Sequence, residues 1–218
     1  MSATQATLVR GGRIITAADD CIADILIEGG RIRAIGERLP SGPDTTLVEA
    51  AGLLVLPGAV DVHTHLDSTT PTASTVDDFA AGTRAAAFGG TTTVVDYCTP
   101  APGASLMAGL ADWHRRRANA CVDVGAHMIV LDAGAGTLAE MKGLVEREGI
   151  TSFKFFMAYP GALMLEDGAL YTAMRAAGAL GAMSCVHAEN GPVIRRLAQA
   201  ALAQGDTAPR YHALTRPA

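Results

Sequence analysis

The sequence predicts an α/β protein: a small N-terminal β portion, then about five of the eight strand–helix units of a (β/α)8 barrel. Three observations predict it. The first 57 residues read as short apolar runs punctuated by glycine pairs, the pattern of hairpins. From residue 58 onward apolar runs alternate with alanine-rich stretches at a spacing of about thirty residues, which signals βαβ units and a parallel sheet. No Gly-x-Gly-x-x-Gly or Walker-type loop follows the first of these runs, which argues against an open nucleotide-binding sheet.

Taken in order, Leu8–Ile15 and Asp24–Ile35 are apolar runs expected to turn at Gly11-Gly12 and Gly29-Gly30. Leu47-Val48-Glu49 and Leu53–Leu56 add short strands before Pro57-Gly58, so a small antiparallel sheet is expected. The barrel-type runs are Ala59–Leu66, Thr91–Cys98, Val122–Leu131, Thr151–Ala158 and Gly181–His187, whose starts lie 32, 31, 29 and 30 residues apart. Between the first two, Val76–Phe88 reads as a helix, with Ser74-Thr75 as caps, Asp77 and Asp78 in its first turn and a stop at Gly89-Gly90. Pro192, after Asn190-Gly191, opens another helix through about Ala203. Residues 58–218 therefore hold five units of roughly 32 residues, and eight such units approach the ~250 residues of a complete barrel. The expected division is 1–57 for the β portion and 58–218 for an incomplete barrel that ends at Arg216-Pro217-Ala218.

Composition narrows the function. The 218 residues are 49% hydrophobic and 18% charged, enough to bury a core. The net charge is −5 with no basic tract, which argues against a nucleic-acid partner. No apolar run approaches the length of a membrane-spanning helix. Met1-Ser2-Ala3-Thr4-Gln5 lacks the layout of a signal peptide, and Cys21, Cys98, Cys121 and Cys185 are scattered, so buried thiols and a cytoplasmic location are expected.

Three segments carry chemistry. His63 and His65 end the first barrel run in Asp61-Val62-His63-Thr64-His65-Leu66-Asp67. Residues i and i+2 of a strand share a face, so both imidazoles are expected to project together at the end where barrel active sites form. Imidazole suits zinc-like ions, although His-x-His also occurs on ordinary surfaces. Lys154 sits in the aromatic run Phe153-Lys154-Phe155-Phe156. Burial there lowers an ammonium pKa, and a neutral amine can add carbon dioxide to give a carbamate with two oxygens for metal; the alternative is a lysine that snorkels or pairs with an acid. His187 ends the fifth run. His114, in the polar Trp-His-Arg-Arg-Arg stretch, His127, mid-strand, and His212, near the terminus, read as structural.

These segments together resemble the cyclic amidohydrolases of the D-hydantoinase and dihydropyrimidinase type. The matching stretches are Leu56–Asp67, Gly82–Thr93, Gly149–Lys154 with Phe156–Tyr159, Val186–Gly191, and Thr207-Ala208-Pro209 with Tyr211–Pro217. The resemblance implies a TIM-type barrel beside a β-sandwich. It implies that His63 and His65 bind the more buried of two divalent metal ions, usually zinc. Carboxylated Lys154 bridges the two ions, and His187 belongs to the second. Tyr159 donates its hydroxyl to the oxyanion, and also contacts the substrate. A hydroxide shared by the metals then opens a small cyclic amide or ureide, a hydantoin or dihydropyrimidine, to an N-carbamoyl amino acid. Members are commonly homotetramers, so a homo-oligomer is expected.

Two departures bear on that expectation. The chain stops before the strands that supply a further histidine and a proton-shuttling aspartate, so the 218 residues are expected to form an incomplete site. Ser68-Thr69-Thr70-Pro71-Thr72-Ala73 replaces a loop that is more aromatic in many members. Among rivals, dihydroorotase-like enzymes place an arginine just after His-x-His-Leu, where this chain has Asp67. Allantoinase-like hydrolysis and a non-catalytic scaffold that has lost its metals are the remaining alternatives.

Overall fold

A computed structural model describes residues 6–69 and 73–217. Met1–Gln5 and the Thr70-Pro71-Thr72 part of the loop singled out above lie outside the described residues. The chain divides into two compact units, Met1–Gly58 and Ala59–Ala218.

The first unit is organised on β1 (Ala6–Ile15). It pairs antiparallel with β2 (Asp20–Glu28), which in turn pairs antiparallel with β3 (Arg31–Gly36). On its other side β1 pairs in parallel with β4 (Thr45–Glu49) and β5 (Leu54–Val55). The sheet is thus mixed rather than antiparallel. Gly29-Gly30, both at positive φ, form the expected β2–β3 turn. Gly11-Gly12 do not turn; they form a bulge inside β1, where the register steps from Val9↔Ile25 to Gly12↔Ala23. The Gly11 amide freed by the bulge donates to buried Asp24 Oδ1 at 2.8 Å. A Cβ on Gly12 would collide with Val55, and Gly11 stands at φ 67°, so close packing requires the one and the left-handed backbone of the bulge the other.

The second unit is a parallel sheet in the order β10-β9-β8-β7-β6. Its strands are β6 (Ala59–Thr64), β7 (Thr91–Cys98), β8 (Asp123–Ile129), β9 (Ser152–Phe156) and β10 (Met183–His187), each inside one predicted apolar run. Helices α1 (Phe79–Phe88), α2 (Leu106–Arg116), α3 (Ala135–Glu148), α4 (Asp167–Ala179) and α5 (Gly191–Ala203) alternate with them, and a short α6 (Tyr211–Leu214) follows.

Alternation along the strands sorts the side chains. Cys98, Met128, Phe153 and Phe155 join Phe79, Leu110, Trp113, Met141 and Leu144 from the helices in one fully buried core. Each of the larger side chains contributes about 1.5–3 kcal/mol by leaving water. The intervening residues, Tyr97, His127, Lys154 and Phe156 among them, occupy the opposite face of the sheet, where the polar groups gather.

Two local expectations need correction. Helix α1 starts at Phe79 and not Val76, because Asp78 is the cap and accepts the Ala81 amide at 2.7 Å. Thr75 instead closes the preceding loop, accepting the Ser68 amide and donating its own to the Ser68 carbonyl. All four cysteines are free, but only Cys98 is buried; Cys185 is half-buried, while Cys21 and Cys121 are exposed. Helix α5 agrees with its sequence signals, with Asn190 capping the Val193 amide.

Candidate metal centre

His63 lies in β6 and His65 one residue beyond its end. The strand is bulged at this point: Asp61 pairs with Val94 and Thr64 with Asp96, so β6 carries one more residue than β7 across the interval. The two imidazoles nevertheless meet, with centroids 5.3 Å apart. Their convergence is held by the following loop more than by strand periodicity. Asp96 Oδ2 accepts the Leu66 amide at 2.7 Å and the Thr64 hydroxyl at 3.0 Å. Arg116 donates to the Asp67 carbonyl at 3.0 Å, and the Asp67 amide donates to the Asp77 carbonyl. Burial raises the Asp96 carboxyl pKa, opposed by these hydrogen bonds.

Tyr97 is the hub of this corner. Its ring stacks on His65 at 4.7 Å and meets His63 edge-on at 4.7 Å. Its hydroxyl lies 3.2 Å from His63 Nδ1. With Nδ1–H donating to the phenol oxygen, the His63 Nε2 lone pair is left for another partner. Burial, then the charges of His63 and Lys154, lowers the His65 pKa and favours the neutral ring a metal needs.

Lys154 is 7% exposed on β9, with Nζ 5.6 Å from the Tyr97 ring and 5.0 Å from the Phe156 ring. Among the described residues no carboxylate pairs with it. Burial lowers its pKa, only partly opposed by Cys185 across the strand pair. The Lys154 side chain is therefore largely enclosed and without an acidic partner among the described residues, an environment that disfavours its charged form.

The third corner is reached through Phe156. Its ring lies 5.8 Å from both His187 and Tyr159, and the last two are 5.3 Å apart. His187 Nε2 lies 2.7 Å from Glu189 Oε2, which leaves Nδ1 open. That hydrogen bond, and then the neighbouring positive charges, holds the Glu189 carboxyl below its ordinary pKa. Tyr159 follows β9 at φ 62°, an unusual conformation for a tyrosine that costs on the order of 1 kcal/mol. Its carbonyl receives the amides of Ala162, Leu163 and Met164, which fix that conformation. Tyr159 is 45% exposed.

Lys154 is thus common to two groups, one with His63, His65 and Tyr97, the other with Phe156, Tyr159 and His187. Among the described residues no three His, Cys, Asp or Glu side chains cluster tightly enough to hold a metal by themselves. Imidazoles such as those of His63, His65 and His187 are donor types that a divalent ion accepts, so the residues present would suit one if a further anionic ligand joined them. Sequence reasoning missed Asp96, Tyr97 and Glu189. Asp96-Tyr97 was detectable as a polar pair near the C-terminal end of the Thr91–Cys98 run, in the unit next to His-x-His.

Residues 54–212 match the model of the amidohydrolase family. The chain belongs to that family. It is 46% identical over 212 residues to a D-hydantoinase of Geobacillus stearothermophilus, covering 96% of this chain and 45% of that protein. It is 39% identical over 222 residues to a dihydropyrimidinase of Rattus norvegicus, covering all of this chain and 43% of that protein. The crystal structure of a dihydropyrimidinase from Brevibacillus agri superposes with a TM-score of 0.93 at 45% identity, over 98% of this chain and 46% of that one. The chain therefore spans just under half the length of these relatives, and its parallel sheet is the corresponding part of a TIM-type barrel. Family membership suggests dependence on a divalent metal. Among the described residues no helix is long and apolar enough to cross a membrane.

Proposed function

We propose that this family member belongs to a metal-dependent cyclic amidohydrolase that opens hydantoins or dihydropyrimidines to N-carbamoyl amino acids. The observation that supports this reading is Lys154, a buried amine without an acidic partner among the described residues, beside a tyrosine that touches both histidines of His-x-His. His63, through Nε2, and His65 would hold one ion, His187, through Nδ1, would serve the other, and carboxylated Lys154 would join them. When bound, two such ions, zinc by the nature of these donors, supply a water deprotonated near neutral pH and polarise the carbonyl. The protein's own residues do the rest. Burial lowers the pKa of both His65 and Lys154, which favours the neutral forms that ligation and carboxylation require. Tyr159 donates its hydroxyl to the oxyanion formed as water adds to the ring carbonyl. The ring C–N bond then breaks, the departing nitrogen takes a proton given up by the added water, and the carbonyl carbon stays in the product as its carboxylate.

In this reading residues 58–218 carry the catalytic units and 1–57 a sandwich portion of a cytoplasmic homo-oligomer, commonly a tetramer. Asp67, directly after the His65-Leu66 pair, is the wrong charge to receive a substrate carboxylate, which favours hydantoin or dihydropyrimidine over dihydroorotate. The test is to label the protein with 13C-bicarbonate, measure bound zinc, and compare ring opening of hydantoin, dihydrouracil and dihydroorotate. A carbamate signal lost in Lys154→Met, with hydantoin or dihydrouracil opened fastest, is expected. Faster opening of dihydroorotate would overturn the substrate assignment, and a protein without metal or hydrolysis would favour a scaffold.

A further inference from the structure

His127 was read from the sequence as a structural residue in mid-strand, and its surroundings give it a more specific task. It lies buried on β8 with both ring nitrogens engaged. Nδ1 is 2.6 Å from the Ser152 hydroxyl on β9. Nε2 is 2.9 Å from the carbonyl oxygen of Val62 on β6, two strands away in the other direction. The imidazole crosses over β7 to reach it, with its ring 5.1 Å from that of Tyr97. A carbonyl oxygen only accepts, so Nε2 carries the proton. In the neutral ring Nδ1 is then the lone pair, to which the Ser152 hydroxyl donates.

The carbonyl that His127 meets belongs to the bulge of β6. The extra residue between Asp61↔Val94 and Thr64↔Asp96 takes the Val62–His63 peptide out of the ordinary ladder. Its polar groups find side chains instead: Val62 C=O receives His127 Nε2–H, and the His63 amide donates to Asp61 Oδ1 at 3.0 Å. Bulges re-aim the side chain they carry, and here that side chain is the His63 imidazole.

We infer that His127 is a positioning residue: by donating through Nε2–H it fixes the Val62–His63 peptide and thereby the direction of the His63 ring. Its consequence for metal affinity rests on the reading of His63 as a ligand, whereas its effect on His63 does not. Residues that orient a ligand in this way typically change metal affinity by 10–100-fold when lost.

The test is imidazole 15N–1H NMR of the zinc-free protein, followed by zinc titration of His127→Phe, which keeps a ring without the donor, and His127→Gln, which restores an amide donor. The expected result is an Nε2–H tautomer for His127. His127→Phe is expected to move the His63 ring resonances and to bind zinc about tenfold or more weakly, with His127→Gln recovering most of the loss. An Nδ1–H tautomer in the native protein would overturn the inference even if His127→Phe does not fold. Native His63 resonances in a folded His127→Phe protein would overturn it as well. A native protein that binds no zinc would count against the hydrolase reading, while the tautomer and the His63 resonances would still decide the role of His127.

Discussion

Asp96 holds the backbone amide of Leu66 at 2.7 Å, one residue after His65 and two strand-ends from Lys154. The same carboxylate takes the Thr64 hydroxyl, so both neighbours of His65 are tied to one buried acid. Asp96→Ala leaves the Leu66 amide without its acceptor, and the expected loss is about 1–3 kcal/mol in urea unfolding. The expected local sign is broadening of the His65 ring resonances, and unchanged stability and spectra would remove Asp96 from the account of the site.

Lys154 gives a pH dependence of definite sign. Its pKa is depressed in the folded protein by burial, so between that value and the ~10.4 of an unfolded lysine the unfolded chain binds more protons. Stability should therefore rise with pH across that window in carbonate-free buffer. Lys154→Met should be more stable at neutral pH and should lose the slope. Urea unfolding at a series of alkaline pH values measures both, and an unaltered slope in the variant would assign it to another group.

Tyr159→Phe removes one hydroxyl while keeping the ring that packs against Phe156 and His187. If that hydroxyl meets the oxyanion, ring opening in the active protein should slow by about 10²–10³-fold in kcat with KM little changed. A variant at native kcat would mean that the tyrosine only encloses the site.

The cysteines should react in an order set by burial. Cys98 is fully enclosed and its thiol is pushed up to about 12 by desolvation, whereas Cys21 and Cys121 are exposed. Iodoacetamide followed by peptide mass mapping should label the exposed pair first and Cys98 only on unfolding. Labelling of Cys98 as fast as Cys21 would show that the core between the sheet and helix α2 opens readily.

The architecture was legible because periodic signals are strong in this chain. Each apolar run at thirty-residue spacing holds one parallel strand, and the caps at Asn190 and the stop at Gly89-Gly90 are where the residue types require them. Glycine was the ambiguous letter. Gly29-Gly30 and Gly11-Gly12 look alike in sequence, and only the distant Asp24 and Val55 decide that the second pair bulges instead of turning. Asp78 and Thr75 were similarly interchangeable as caps until the Ser68 loop claimed the threonine.

Within the candidate site, His63, His65, Lys154 and His187 stood out because charged or ligating side chains are rare in apolar runs. The groups that orient them were visible only as residues: Asp96-Tyr97 as a polar pair and His127 as a mid-strand histidine, while their roles depend on contacts across neighbouring strands that no local pattern encodes. The bulge at Val62-His63 was equally invisible, since one extra residue in a strand leaves the hydrophobic pattern nearly intact.

The β8–β9 junction carries its own consequence. The two strands register only through Met128↔Phe153 and Ile129↔Lys154, with the Val130 amide reaching the Lys154 carbonyl just beyond. His63, His65 and Tyr97 lie on one side of this seam and Lys154 and His187 on the other. Any ion held by both sets would act as a rivet across the least-stitched line of the sheet. Amide hydrogen exchange along β8 and β9 would then slow with metal concentration, while β6–β7, stitched along its own ladder, would change far less.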